Sequence, residues 1–140
     1  DDGLFLCNFF GEQTLRELRQ CFFVADDRFL SGAFNRIPKV DLMADFSNLL
    51  AEVGYNEIVT EKVNFDIFYK SIIGILKDIK NMGEKIPIIE KKEKISKTYI
   101  NFLNKIYIKE FANQNRQLKV TLDIISISSW KQLKNNSTNQ

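Results

Sequence analysis

The chain has 140 residues, 44% hydrophobic and 27% charged, which suits one folded domain with its own core rather than a disordered segment. A net charge of +2 gives no electrostatic footprint for nucleic acid or an anionic membrane, and no apolar run is long enough to span a bilayer. There is no histidine, no G-x-G-x-x-G and no P-loop, so histidine-based nucleophile pairs, the usual zinc hydrolase sites and the two common phosphate cradles cannot be built from these residues.

Asp1-Asp2-Gly3 reads as a turn feeding the first strand, residues 4–10 (Leu4-Phe5-Leu6-Cys7-Asn8-Phe9-Phe10). An apolar run bounded by Gly3 and Gly11 predicts a strand covered on both faces. A domain seldom begins with its most buried strand, so further sequence upstream is expected to complete it. Cys7 and Cys21 are too few for a disulfide framework and are expected as reduced core thiols, which suits a cytoplasm.

Thr14, with Glu17 three residues later, has the spacing of a capping box and opens a helix over 14–24. Leu15, Leu18, Phe22 and Phe23 mark its apolar face. Residues 25–40 are punctuated by Asp26-Asp27, Ser31-Gly32 and Ile37-Pro38, and with Phe29, Phe34 and Arg36 they read as a loop forming a lid. A helix over 41–53 carries Leu42, Phe46, Leu49, Leu50 and Val53 on its buried stripe, with Gly54 placed for a left-handed cap.

A strand over 57–67 follows, with Val59, Val63, Phe65 and Ile67 on one face and Thr60, Lys62 and Asn64 on the other. Tyr69, Ile72, Ile73, Leu76 and Ile79 give a helix over 69–82, stopped near Gly83. The charge-rich stretch after it leads into a helix over 92–112 on the stripe Ile95, Tyr99, Phe102, Leu103, Ile106 and Phe111. Lys91, Lys92, Lys94 and Lys97 are interleaved with Glu90 and Glu93 and read as a solvated face. The last strand, 118–130, is apolar on both parities, as a central strand is, with Trp130 expected as a core anchor. Residues 1–132 form the domain and 133–140 a polar tail. The order β-α-α-β-α-α-β, with long helical crossovers, predicts an α/β sheet with helices on its faces.

Several segments resemble one family. Gly11-Glu12-Gln13-Thr14-Leu15-Arg16-Glu17-Leu18 resembles the G-x-x-T-L-x-E-L segment after the fifth strand in a branch of class I S-adenosylmethionine-dependent methyltransferases. Leu49-Leu50-Ala51-Glu52-Val53-Gly54-Tyr55 is similar to that branch's LL-x-x-AGF, and Tyr69 with Leu76–Glu84 to its Y…L-x-D-L-x-x-MGE helix. Ser129-Trp130-Lys131 matches its closing GWK. The branch contains malonyl-acyl-carrier-protein O-methyltransferase of biotin synthesis and a mitochondrial complex I assembly factor that hydroxylates an arginine.

The resemblance implies the C-terminal part of a Rossmann-like methyltransferase fold: strands five, seven and six, the last antiparallel, with helices forming a lid. It implies S-adenosylmethionine for the intact fold, but the family's cofactor-binding segments have no counterpart in this chain, so none is expected to bind here. It implies substrate-side roles for Asn8 and Phe10 at the end of the first strand, for Arg16 and Arg19 as anion-binding guanidinium groups, and for Phe34 and Arg36 in the lid. Each has an ordinary alternative as core packing or a solvated face. The expected partners are a missing N-terminal half or a second copy, pairing through the edge of strand 4–10, and an acyl-carrier protein or a complex I subunit. The setting is a bacterial cytoplasm, or a mitochondrial matrix if the source is eukaryotic.

Overall fold

A computed structural model describes residues 3–37, 43–83 and 95–131. The expected Lys91, Lys92 and Lys94 cluster, the 133–140 tail, Leu42, and the outer ends of the lid and of helices 41–53 and 92–112 lie outside the described residues. Seven elements follow in chain order: β1 (Gly3–Phe10), α1 (Arg16–Leu30), α2 (Met43–Glu52), β2 (Tyr55–Tyr69), α3 (Ile72–Asn81), α4 (Lys97–Phe111) and β3 (Leu118–Lys131). The fold is α/β, with a three-stranded sheet in the order β1-β3-β2. The last strand is therefore central, and it runs antiparallel to β1 in a register from Gly3 opposite Lys131 to Phe10 opposite Ile124.

The chain divides into two compact units, one drawn from Asp1–Glu12, Val40–Asn64 and Asp123–Gln140, the other from Gln13–Lys39 and Phe65–Leu122. In the first, Leu50 of α2 packs with Ile125 and Ile127 of β3. Phe46 lies 6.2 Å from the Phe5 ring and 5.7 Å from the Phe9 ring. The period of two along β1 sends Phe5, Cys7 and Phe9 to this side. Gly54 follows α2 at φ +87°, the left-handed conformation that glycine adopts without a Cβ penalty.

The second unit is helical packing around the near half of β3. Leu18, Cys21, Phe22 and Ala25 recur at i, i+3, i+4 and i+7 on α1, and Tyr99, Leu103 and Tyr107 at i, i+4 and i+8 on α4. α1 and α3 both pack on α4. The Ser71 and Ser96 hydroxyls accept the backbone N–H groups of Gly74 and Tyr99 and so cap α3 and α4.

Several expectations are corrected. β1 is not covered on both faces: Leu4 and Leu6 are 57% and 65% exposed, because β1 is a sheet edge and α2 meets only its other face. Cys7 is accordingly half-buried, and only Cys21 is a core thiol. Leu15 rather than Thr14 stands at the N-cap position of α1. The helix is entered through Leu15 in a left-handed conformation with no side-chain cap, while Glu17 bonds to β3. α1 runs on to Leu30, so residues 25–30 are helix rather than lid: Asp26 is no turn residue but lies buried within the helix, paired with Arg36.

Leu49 of α2 and Val53 just after it are exposed, and so are Val59, Val63, Phe65 and Ile67 on the expected buried face of β2, the second edge strand. β2 runs from Tyr55 to Tyr69, taking in the residue where the third helix was expected to begin. Trp130 is 43% exposed rather than a core anchor, since it stands outward near the strand end, opposite Leu4.

Candidate functional site

The most strongly structured polar group in the helical unit joins α1, α4 and the segment after α1. Asp26 is fully buried, and Arg36 is 2% exposed. Arg36 Nε and Nη2 donate to the two Asp26 oxygens at 2.6 and 2.7 Å, the fork geometry of a bidentate ion pair. The Tyr99 hydroxyl donates to Asp26 Oδ1 at 2.6 Å. The guanidinium carbon lies 5.4 Å from the Phe22 ring centre, 5.8 Å from Tyr99 and 6.0 Å from Phe34, within cation–π range of all three. Arg36 Nη1 is buried with no hydrogen-bond partner.

Burial shapes the protonation of this group. It pushes the Tyr99 hydroxyl well above the ordinary tyrosine range, and the bond to Asp26 adds to that, so Tyr99 stays a donor. Burial pulls the Arg36 guanidinium down, but its hydrogen bond to Asp26 and the neighbouring charge more than offset this, and its pKa is raised.

Arg19 is also engaged: Nε donates to the Ile37 carbonyl and Nη2 to the Thr14 carbonyl, both at 3.0 Å, tying the start and the far end of this region to α1. Arg16 has a half-exposed side chain, with Nε 3.2 Å from Glu17 Oε1. Arg19 also lines an open, mainly apolar groove of about 590 Å³ between α1 and α4, with Phe23, Val24, Ile106 and Phe111 among its walls. Phe34 is partly exposed beside Arg36. In the other unit, Asn8 and Phe10 stand on the outward face of β1. Of the six residues singled out in the sequence, Arg19, Phe34 and Arg36 thus fall in one neighbourhood. Asp26 and Tyr99 were not among the six, because Asp26-Asp27 reads as a turn and Tyr99 as one more core aromatic. The signal that could have found them is an Asp, an Arg ten residues on and a Tyr at a core position, all requiring a tertiary contact.

Among the described residues no cluster of histidine, cysteine, aspartate or glutamate has the makings of a metal site. No helix among them is long and apolar enough to cross a membrane.

Comparison with known proteins agrees with this architecture. No protein-family model matches the chain. Over 130 residues it is 26% identical to the mitochondrial arginine-hydroxylase NDUFAF5 of Dictyostelium discoideum, covering 92% of this chain and 30% of that protein. The Danio rerio protein of the same name is 24% identical over 130 residues, covering 93% of this chain and 40% of the relative. A malonyl-[acyl-carrier protein] O-methyltransferase of Nitrosospira multiformis is 31% identical over 81 residues, 58% of this chain and 24% of the relative. The chain is a homologue of this methyltransferase-like branch. It spans well under half the length of these three relatives.

The segments that carry the family likeness are fastenings in this structure. Lys131, of the closing Ser-Trp-Lys, donates to the Val53 carbonyl at the end of α2 and lies over the ring of Tyr55, so two of the branch's motifs meet in one contact. Gly11 lies against Asp123: its N–H donates to the Asp123 carbonyl at 2.7 Å, and the Asp123 carboxylate fills the space a Cβ would need. Glu17 accepts the Thr121 N–H at 3.0 Å and the Thr121 hydroxyl at 2.6 Å, anchoring α1 to β3. Burial raises the Tyr69 pKa, and a hydrogen bond to Asp78 raises it further, joining the tyrosine and aspartate of a third motif.

Proposed function

We propose that this chain forms the substrate-side part of a methyltransferase-like protein, with the S-adenosylmethionine-binding part supplied by sequence outside it. One observation carries the reading: β1 is an edge strand whose outward residues Leu4, Leu6 and Phe10 are exposed, a surface that a further strand and its helices would cover. Gly11 is closed off by the Asp123 carboxylate and Gly74 lies against the Tyr69 ring, so neither of these two glycines opens a backbone cradle for an adenosyl group.

The acceptor side is read from the arginines. Arg16, half exposed and paired only with its neighbour Glu17, is the better placed of the two helix arginines to meet a carboxylate of the malonyl-acyl-carrier type. Arg19 already serves two backbone carbonyls. In the other unit, Asn8 and Phe10 on the outward face of β1 are substrate-side candidates in their own right. The mitochondrial relatives named arginine-hydroxylase support a second reading, hydroxylation of an arginine, which would go with complex I assembly in a mitochondrial matrix; the carrier-protein reading would go with a bacterial cytoplasm.

The exposed edge equally supports a binding module without chemistry of its own, which docks through β1 with the missing half or with a second copy. Two measurements test these readings. Calorimetry with S-adenosylmethionine is expected to give no heat with this chain alone, and binding once a cofactor half from a longer relative is fused upstream of residue 1. Tight binding by this chain alone would sink the first reading. Sedimentation showing a stable monomer at high concentration counts against the docking module.

A further inference from the structure

We propose that Asp26, Tyr99 and the ring of Phe22 form a pocket for a compact organic cation of the amidinium type, and that Arg36 plugs this pocket in cis. The proposal is independent of the methyl-transfer reading: every residue in it belongs to the helical unit and its test needs no second half, so either can fail alone.

The chemistry of the pocket demands a cation. Asp26 is fully buried and accepts three hydrogen bonds, two from Arg36 and one from Tyr99. Without Arg36 it would be a buried carboxylate served by a single phenol, which is strongly unfavourable unless another cation takes the place. The aromatic faces of Phe22 and Tyr99 select the kind of cation: they favour a weakly hydrated organic group over a metal ion that must keep its water.

The plug is not part of the pocket's framework. Asp26 and Phe22 are on α1 and Tyr99 is on α4, whereas Arg36 rides on the irregular residues after Leu30. That segment leaves α1 through Ser31 in a left-handed conformation at φ 55° and is pinned by the Ile37 carbonyl to Arg19. Arg36 itself belongs to neither helix.

The plug also fits imperfectly. Two N–H groups on one edge of the guanidinium are answered by Asp26, but Nη1 is buried with no acceptor. The pocket thus offers acceptors to one edge of a planar cation and apolar surface to the rest. Acetamidinium has that pattern: two N–H groups on one edge for a carboxylate, and a methyl group in place of the orphaned nitrogen. It carries four N–H donors against the guanidinium's five, so beyond the two that Asp26 answers it buries one fewer.

The test uses the full 140-residue chain and acetamidinium as the probe, with thermal denaturation and backbone NMR as readouts. Arg36→Ala is expected to lower Tm by several degrees, and acetamidinium at tens of millimolar to restore part of the loss saturably. Tetramethylammonium, which cannot donate to Asp26, should restore less. The double variant Asp26→Asn with Arg36→Ala should show no saturable response. If Arg36→Ala does not fold, Arg36→Met refills the apolar volume without the charge and is titrated in the same way. If neither folds, the wild-type chain decides: acetamidinium should speed amide exchange over residues 31–37 by at least twofold beyond equimolar sodium. The proposal is overturned if the double variant responds as strongly as the single one, if no folded single variant responds, or if wild-type exchange is unchanged where only that arm can be read.

Discussion

Lys131 holds its ammonium 4.9 Å from the centre of the Tyr55 ring while donating to the Val53 carbonyl. α2 has no basic residue in its own last turn, so β3 supplies the positive charge that the helix terminus favours. The contact closes the α2–Gly54–β2 corner from outside. Lys131→Ala is expected to cost about 1 kcal/mol, the sum of a modest cation–π contact and a lost helix-terminus charge. Lys131→Arg should recover most of it. A double-mutant cycle with Tyr55→Leu, read by urea denaturation, should show a coupling of about 0.5 kcal/mol or more, and additive effects would refute the contact.

Gly11 is required for space rather than for dihedral freedom. A Cβ there would lie 2.4 Å from Asp123 Oδ2 and 2.6 Å from its Cγ. Asp123 cannot easily yield, being fully buried with Lys62 Nζ 3.1 Å from its carboxylate. Gly11→Ala is therefore expected to destabilise by about 2–3 kcal/mol through overpacking. Adding Asp123→Ala should remove much of that penalty, since Lys62 reaches solvent and can do without its partner. A Gly11→Ala chain as stable as wild type would disprove the clash.

Glu17 occupies the position where sequence spacing predicts a capping box, but its carboxylate serves β3. Glu17→Ala leaves the buried Thr121 N–H without an acceptor, at a cost of about 2–3 kcal/mol. Glu17→Gln keeps one carbonyl oxygen for that N–H and should cost clearly less. Equal losses for the two variants, measured by denaturant midpoint, would mean that volume rather than hydrogen bonding matters at this site.

The helices were legible wherever their partners share their own periodicity. Leu18, Phe22, Tyr99 and Leu103 follow the 3.6-residue repeat and are all buried. What could not be read locally depended on a distant partner. Asp26 looks like a turn residue in sequence, yet it lies inside α1, buried and paired with Arg36 ten residues on. Leu4, Leu6, Val59 and Phe65 look like core residues, but burial on an edge strand is set by what lies beside it rather than by the strand's own composition. The site residues were harder still, since an arginine's role turns on whether a carboxylate meets it. Arg36 has one and Arg19 has two carbonyls, which no spacing rule supplies.

Cys21 gives the chain a pH dependence that can be isolated. Burial, followed by the charges of Glu110 and Glu17, pushes its thiol from an ordinary value of 9.0 up to about 12. The unfolded chain therefore releases this proton near pH 9 while the folded chain keeps it. Stability from this group is fully present below pH 9 and is lost as pH rises toward the folded value, at no more than about 1.4 kcal/mol per pH unit. The raised values of Tyr69, Tyr99 and Tyr107 act in the same sense, but unfolded tyrosines are half ionised only at pH 10. The window from pH 8 to 9 thus reports mainly on Cys21. Cys21→Ala should lower stability at pH 7 by about 1–2 kcal/mol through the small cavity it leaves. It should also flatten the decline between pH 8 and 9, followed by urea midpoints at closely spaced pH values. A decline of unchanged slope in Cys21→Ala would assign the effect to another group.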